Sequence, residues 1–237
     1  MYICICKSAN MAYKNAAGKV CLIFLSAILI CGCGGKKRDA NTGSYGSPHP
    51  EIEAETDPGS LFDGVSLNGW EVTNFGPQGS VNVSGNRIIL GMGDGCTGIT
   101  WQGDFPETGY EVSLEAMRID GNDFFCGMTF PAGKDPCTLI VGGWGGTIVG
   151  LSCIDGKDAS ENETTLLKSF EKQRWYAIRL RVTDKQITAW IDGEQIVNLP
   201  TEGKKLSIRP EVELSRPFGI ASWRTTAAIE NIRLEVL

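Results

Sequence analysis

Several segments of the chain alternate apolar and polar residues with a period of two, and this pattern restricts the fold more than any other feature. In residues 110–116 every second residue is apolar, and the residues between them are Glu, Ser and Glu. In residues 175–182 the alternation predicts a core face of Tyr176, Ile178, Leu180 and Val182. Successive side chains of a strand point to opposite faces, so both segments are predicted strands with one face on a core.

Turn signals and further apolar runs extend this pattern along the chain. Residues 186–191 follow the second strand after three polar residues, which predicts a hairpin, and Asp192-Gly193 predicts a second tight turn into 194–197. Further strands are predicted at 87–90, 97–101, 123–130, 137–142, 147–153, 217–223 and 229–236. The one candidate for helix is a single turn near 163–170. About ten to twelve strands with few helices predict an all-β sandwich of two antiparallel sheets.

The N-terminus has the features of an export signal. Lys14 and Lys19 precede an apolar run of eleven residues, 20–30, which is too short to span a bilayer but suits a signal peptide. The run ends in Ile-Cys-Gly-Cys33, which resembles the bacterial lipobox, with Gly32 at the small position before the modified cysteine. Met11 would begin a signal of more ordinary length. We expect lipidation at Cys33, which would hold the protein to a membrane of the bacterial cell envelope, facing the periplasm or the exterior.

These features predict three parts of the chain. Residues 1–33 are the predicted signal peptide. Residues 34–59 are rich in Gly, Ser, Pro and charge, which predicts a disordered tether. All six tryptophans lie between Trp70 and Trp223, so residues 60–237 are the predicted folded domain.

Charge, histidine and cysteine content limit the function. The net charge of −6 argues against a nucleic-acid partner, which calls for a basic patch. The only histidine, His49, lies in the predicted tether, which excludes a histidine-based catalytic dyad or a multi-histidine metal site in the domain. The domain contains four cysteines: Cys96, Cys126, Cys137 and Cys153. In an oxidising compartment these four cysteines could form disulfides, with three possible connectivities. A hairpin around residues 142–146 would place Cys137 opposite Cys153 and favours that pair. Buried free thiols are the alternative.

Residues 60–71, Ser-Leu-Phe-Asp-Gly-Val-Ser-Leu-Asn-Gly-Trp-Glu, resemble the opening of the 3-keto-disaccharide hydrolase domain family. Residues 83–90, 109–115, 174–179, 187–193 and 227–234 resemble later strands of that family in the same order. The resemblance implies a concanavalin A-like jelly roll, and cleavage of glycosidic bonds in sugars oxidised at C3. Two segments depart from the family pattern: residues 222–225 stand where many members have a histidine, and residues 121–127 where many have Asn-Ser-Gly-Ile.

The implied substrate determines which catalytic groups are needed. Glu111 and Glu115 lie four residues apart on one strand face, roughly 13 Å, which is too far for a paired-carboxylate glycosidase. A ketone at C3 acidifies the neighbouring C–H, so a single carboxylate base beside an oxyanion stabiliser suffices. Asp123, Asp158 and Glu163 are the candidate bases, and Arg179 and Arg224 the candidate stabilisers. The acidic stretch 155–163 leaves a calcium site open.

Tryptophans are the candidate sugar-binding residues. Trp144 lies within Gly-Gly-Trp-Gly-Gly, a flexible segment that would present the indole to a ligand. We expect a carbohydrate to bind on a concave sheet by stacking on Trp144 and on Trp175 or Trp190, while Arg179, Asp123 and Glu163 orient hydroxyls. Two functions therefore remain open, an enzyme acting on 3-keto sugars and a non-catalytic carbohydrate-binding or structural sandwich.

Overall fold

The computed structural model describes residues 58–237, which contain fourteen β-strands and one short 3-10 helix joined by turns and loops. The strands are β1 (Trp70–Val72), β2 (Val81–Val83), β3 (Ile88–Leu90), β4 (Cys96–Trp101), β5 (Tyr110–Gly121), β6 (Cys126–Ala132), β7 (Asp135–Gly143), β8 (Ile148–Ser152), β9 (Leu166–Leu167), β10 (Trp175–Val182), β11 (Gln186–Ile191), β12 (Glu194–Pro200), β13 (Gly219–Trp223) and β14 (Thr225–Val236). The 3-10 helix covers Pro210–Ser215. The predicted signal peptide, Cys33 and nearly all of the predicted tether lie outside the described residues. No helix in residues 58–237 is long and apolar enough to cross a membrane.

The strands form two antiparallel sheets of seven strands each. The front sheet has the order β1-β4-β13-β6-β7-β8-β9, and the back sheet has the order β12-β11-β10-β5-β14-β3-β2. Neighbours in both orders are often distant in sequence; β5, for example, pairs with β10 and β14. This arrangement is a jelly-roll sandwich, which confirms the predicted fold class.

The core lies between the two sheets, and the alternating segments supply much of it. Tyr110, Val112, Leu114 and Ala116 of β5 are buried, as are Tyr176, Ile178, Leu180 and Val182 of β10. The front sheet contributes Ile99, Met128, Leu139, Val149 and Ile220 to the same core. Burying a large aliphatic or aromatic side chain is worth about 1.5–3 kcal/mol, so burial of the apolar face selects the strand register.

Three short strands and one local structure differ from the predictions. Strands β1, β2 and β9 contain two or three residues, too few to show an alternation. The segment predicted as a helical turn, 163–170, contains β9 and turns instead. The reason is Asn162, whose amide group donates to the Leu151 and Asp158 carbonyls and accepts from the Thr164 amide, bonds that hold the backbone in a turn.

The hairpin around residues 142–146 forms as predicted, with Thr138 opposite Ser152 in the pairing of β7 with β8. No disulfide accompanies it: Cys96, Cys126, Cys137 and Cys153 are all buried free thiols. Burial raises the pKa of Cys126 and of Cys137 to about 12, because a thiolate would lose its hydration there. Cys126 and Cys137 are therefore neutral packing residues in the folded domain.

Candidate functional site

A groove with a volume of about 220 Å³ lies on the outer face of the front sheet. The residues that line it come from five separate parts of the chain: Cys96, Asp123, Phe124, Thr138, Ile140, Trp144, Ser152, Arg209, Glu211, Val212 and Trp223. The period of two explains which strand residues reach it. Cys137, Leu139 and Val141 of β7 pack into the core, so Thr138 and Ile140 between them face the groove.

The segment between β12 and β13 covers part of this sheet face. Its 3-10 helix is fixed to the front sheet by a hydrogen bond in which the Thr100 hydroxyl donates to the Leu214 carbonyl, at 3.0 Å. Val212 of the helix is buried and lines the groove. The helix therefore brings Arg209 and Glu211 to the groove from one side, while the hairpin between β7 and β8 brings Trp144 from another.

Asp123 and Trp144 lie next to each other at this site. One carboxylate oxygen of Asp123 accepts a hydrogen bond from the Phe124 amide at 2.8 Å, and the other accepts from the Gly145 amide at 3.3 Å. Trp144 has a φ of 48°, and 41% of its surface remains exposed. The carboxylate thus holds the backbone next to Trp144 and keeps the indole at the surface.

Arg209 forms an ion-pair network with two carboxylates. Its guanidinium donates to Glu211 at 2.9 Å and to Asp158 at 3.0 Å. The hydrogen bond from Arg209 lowers the pKa of Glu211, and the same bond raises the pKa of Arg209. Both groups are charged at neutral pH, so the groove presents one fixed cation and at least one carboxylate.

Cys96 lines the groove but does not supply a nucleophile. Desolvation by burial, together with the nearby charge of Glu211, raises the pKa of its thiol to about 12. The thiolate is the reactive form of cysteine, and this form is nearly absent at neutral pH. Cys96 therefore contributes an apolar surface to the floor of the groove.

The structure brings some of the predicted site residues together on the front sheet. Asp123 and Trp144 both line the groove, and Asp158 is connected to it through Arg209. Glu163 lies outside the groove lining and pairs with Lys204 at 2.6 Å. Arg224 is exposed beside Trp223 and pairs with Asp94 at 2.6 Å.

The other predicted site residues lie on the opposite side of the molecule. Trp175 and Arg179 are on β10 and Trp190 is on β11, both strands of the back sheet, and their side chains alternate with buried core residues. They face away from the core and therefore away from the front sheet. The expectation that Trp144 binds a sugar together with Trp175 or Trp190 is not met, and Arg179 is not near Asp123. The sequence pattern showed which residues face outwards but did not show which sheet they belong to.

Arg209, Glu211 and Phe124 were not singled out in the sequence. Arg209 and Glu211 lie within residues 201–218, which connect two strands without any alternating pattern. Connections of more than about 12–15 residues are uncommon and often functional, and the length of this connection is the signal that could have singled out the segment. Phe124 had no comparable signal, because it lies within a run predicted as ordinary strand.

Three of the four carboxylates in the acidic stretch 155–163 are bonded to other groups of the domain. Asp155 accepts from the Lys205 amide at 2.9 Å, and Asp158 accepts from both the amide and the hydroxyl of Ser160. Glu163 is paired with Lys204. Within residues 58–237, no group of three or more His, Cys, Asp or Glu side chains is arranged to hold a metal ion.

The two antiparallel sheets and the groove on the outer face of one of them define a concanavalin A-like jelly-roll protein. Residues 57–235 match the family described as the 3-keto-alpha-glucoside-1,2-lyase-like domain. The chain belongs to this family. No curated protein sequence matches the chain.

Several solved structures share the fold. The Crh5 transglycosylase in complex with NAG superposes with a TM-score of 0.52 at 17% identity, over 73% of this chain and 80% of the other. A Bacillus subtilis protein of unknown function with a galectin-like fold has a TM-score of 0.51 at 12% identity, over 72% and 90%. A glycosyl hydrolase-like protein from Parabacteroides distasonis ATCC 8503 has a TM-score of 0.50 at 14% identity, over 78% and 97%. At these identities the likeness concerns the fold.

Proposed function

We propose that this protein cleaves the glycosidic bond of a 3-keto sugar that binds in the groove on the front sheet. One observation carries the proposal: a carboxylate, Asp123, and a fixed guanidinium, Arg209, line the same groove. Membership of the 3-keto-alpha-glucoside-1,2-lyase-like family supports an elimination reaction as the chemistry.

The proposed reaction uses the acidity that a ketone gives to its neighbouring carbon. Asp123 removes the proton on C2, and the electron pair of that C–H bond forms an enolate with the C3 ketone. The enolate then reforms the ketone as a double bond forms between C1 and C2 and the bond from C1 to the glycosidic oxygen breaks. The departing oxygen takes up a proton from water and leaves as an alcohol, and Asp123 returns the proton that it removed to the solvent. No paired carboxylate is required, because the ketone holds the negative charge that develops.

Arg209 is the group that we assign to the developing oxyanion. A guanidinium is always charged and presents several N–H donors in a fixed plane. Asp158 and Glu211 hold this group from two directions, at 3.0 and 2.9 Å, so it does not have to reorganise when the charge develops. Asp158 is then a positioning residue, which differs from the role of base that its sequence context left open.

Aromatic side chains around the groove suit the apolar faces of a sugar. Trp144 and Trp223 line the groove from the β7–β8 hairpin and from the end of β13, and Phe124 lines it as well. The volume of about 220 Å³ is below the range of about 300–1,000 Å³ for drug-sized ligands, which favours a small glycoside. Carbohydrate is therefore the proposed ligand class.

We also propose that the protein is a lipoprotein of the bacterial cell envelope. The support is the sequence alone: an apolar run of eleven residues ends in Ile-Cys-Gly-Cys33, and a polar segment follows. Lipid at Cys33 would hold the groove domain near a membrane, where it would meet sugars outside the cytoplasm.

A second candidate function is carbohydrate binding without catalysis. Residues 222–225, Ser-Trp-Arg-Thr, stand where many family members have a histidine, and the described part of the chain contains no histidine. In addition, both carboxylate oxygens of Asp123 already accept backbone hydrogen bonds. These observations favour a groove that binds a sugar without cleaving it, in which Asp123 only holds the backbone beside Trp144 in place.

Incubation of the purified protein with a panel of 3-keto-glucosides separates the two functions. The wild type should release the alcohol, and Asp123→Asn should lower kcat by about 100-fold or more, the usual contribution of a general base. Asp120→Asn is the matched control, because Asp120 is two-thirds exposed and pairs with Lys172 outside the groove. Binding without turnover would favour the second function. Equal turnover by Asp123→Asn and the wild type would exclude Asp123 as the base.

A further inference from the structure

Arg118 is a buried cation that extends from the back sheet towards the front sheet. It belongs to β5, follows Ala116 on the core-facing row of that strand, and is 5% exposed. One terminal nitrogen, Nη2, donates to the Gly142 carbonyl at 3.2 Å and to the Gly146 carbonyl at 3.0 Å. These two glycines are the ends of the Trp144 loop, residues 142–146. Arg118 therefore joins both ends of the loop that presents Trp144.

The glycines at the two ends of the loop make room for this side chain. A Cβ atom at Gly142 would lie 2.5 Å from Nη2 of Arg118, and one at Gly146 would lie 3.2 Å from Nη1. Both glycines have a positive φ, 78° and 105°, which other residues rarely adopt. The Gly-Gly-Trp-Gly-Gly sequence thus fits a loop wrapped around a guanidinium, and flexibility is not needed to explain its glycines.

The surroundings of Arg118 are costly for a charge. Its side chain is buried and its Nε atom has no partner. The Phe125 and Phe170 rings, whose centres lie 5.1 and 6.0 Å from the guanidinium carbon, offset part of this cost. Desolvation lowers the pKa of Arg118, and the charge of Asp123 opposes that effect. An apolar residue would fill this position at a lower desolvation cost. What the arginine provides in return is the pair of hydrogen bonds to the loop.

A third hydrogen bond fixes the middle of the loop. The Gly145 amide donates to Asp123 at 3.3 Å, so the loop is held by Arg118 at its two ends and by Asp123 beside Trp144. An anchored loop keeps the indole at the groove before a ligand arrives, which reduces the entropy lost on binding.

We infer that Arg118 is a positioning residue for sugar recognition, which acts on the ligand only through the Trp144 loop. This inference rests on the proposed function, since it takes the groove as a sugar site. Arg118 does not line the groove. Its substitution should therefore affect the ligand only while Trp144 is present.

A double-mutant cycle in the full-length protein tests this dependence. Arg118→Met should weaken binding of a 3-keto-glucoside by about tenfold when Trp144 is present, and by less than about twofold in the Trp144→Ala background. Arg118→Lys, which keeps the charge and can donate to the loop carbonyls, should recover part of the loss. An equal loss in both backgrounds would overturn the inference, and so would an unchanged affinity in Arg118→Met.

A second measurement does not depend on any sugar. Quenching of Trp144 fluorescence by acrylamide is obtained by subtracting the signal of the matching Trp144→Phe protein in each background. Arg118→Met should change this quenching, because the loop loses both hydrogen bonds from Arg118, and Arg118→Lys should lie between it and the wild type. Ile178→Val is the control for general destabilisation, since Ile178 is a buried residue of β10 that lies opposite Leu114 of β5 and not opposite Arg118.

The binding cycle and the quenching measurement together distinguish a failure of the proposed function from a failure of the inference about Arg118. If the wild type binds no sugar but quenching changes as expected, the proposed function fails and the role of Arg118 in holding the loop stands. If sugar binds and quenching in Arg118→Met equals that of Ile178→Val, the loop does not depend on Arg118 and the inference is wrong. If Arg118→Met fails to fold, the comparison of Arg118→Lys with the wild type decides.

Discussion

The guanidinium of Arg179 lies over the indole of Trp190 on the outer face of the back sheet, with its central carbon 3.9 Å from the ring centre. The Glu111 carboxylate forms ion pairs with the guanidinium groups of Arg179, at 3.4 Å, and of Arg181, at 2.8 Å. One face of the indole is therefore covered by a cation that is itself paired. This arrangement stabilises the back sheet and leaves less of Trp190 for a ligand than Trp144 offers.

Substitution of Trp144 should affect sugar binding, and substitution of Trp190 should not. Trp144→Ala should weaken sugar binding by about 1–3 kcal/mol, because the groove loses a large apolar surface. Trp190→Ala should leave binding unchanged, since Trp190 belongs to the other sheet. Titration followed by calorimetry measures both affinities. A loss in Trp190→Ala and none in Trp144→Ala would move the sugar site to the back sheet.

Glu230 lies opposite Glu115 in the pairing of β14 with β5. Burial and the charge of Glu115 raise the pKa of Glu230, so its ionised form is disfavoured in the folded state. Glu230→Gln should therefore increase the free energy of unfolding at pH 7 by about 0.2–1 kcal/mol, the range for like charges directly opposite across strands. The penalty exists only while Glu230 is ionised, so the gain should vanish as the pH falls below about 4.5.

Glu235→Gln is the matched control for this prediction. Glu235 lies opposite Glu111 in the same pair of strands, but Arg179 and Arg181 neutralise Glu111. The control should change the unfolding free energy less than Glu230→Gln does at pH 7. Denaturant unfolding at pH 7 and pH 4 provides both values, and a gain for Glu230→Gln that persists at pH 4 would contradict the electrostatic origin.

Three of the four buried cysteines of residues 58–237 should react slowly with thiol reagents while the domain is folded. Burial raises the pKa of three of them to about 12, so the reactive thiolate is scarce at pH 8. We expect at least about 100-fold slower modification of these three thiols in the native domain than in the unfolded chain. Absorbance of the released aromatic thiol measures the rate and the number of groups. Fewer than four groups after unfolding without a reductant would reveal a disulfide.

Cys33→Ala should abolish lipid labelling of the protein in a bacterial host. The reason is that the lipid is attached to the cysteine that ends the lipobox, and Gly32 suits only Cys33 for cleavage. Incorporation of a labelled fatty acid and the size of the product give the result. The control is Cys31→Ala, which should still be labelled, and labelling of Cys33→Ala would refute this signal.

The fold followed from the sequence more closely than the site did. Alternation of apolar and polar residues in 110–116 and 175–182 is a local property. It arises because each strand buries one face, so it can be recognised in the sequence alone. The groove instead combines Cys96, Asp123, Trp144, Arg209 and Trp223, which only the order of strands brings together. Arg118 shows the same limit, because no local pattern reveals that its guanidinium reaches a loop 24 residues away.

The opening motif illustrates why family resemblance identified the fold first. Asp63 accepts from the amides of Val65 and Ser66, and the Trp70 indole donates to the Leu61 carbonyl at 2.7 Å. Gly64 has a φ of 80°, and a Cβ there would overlap the side chain of Asn86. The motif therefore shapes a turn. The residues of the motif have a structural role, which is why the motif indicates the fold. None of them lines the groove.

The Gly59 carbonyl accepts a hydrogen bond from the Leu234 amide, and Pro58 and Gly59 line a hollow with Glu111 and Ser113 on the outer face of the back sheet. The described chain thus begins on one broad side of the sandwich and the groove opens on the other. Coupling the protein to a resin or sensor chip through a reactive group introduced at residue 58 or 59 should turn the groove towards the bulk liquid. Affinities measured on such a surface are then expected to equal those of the free protein.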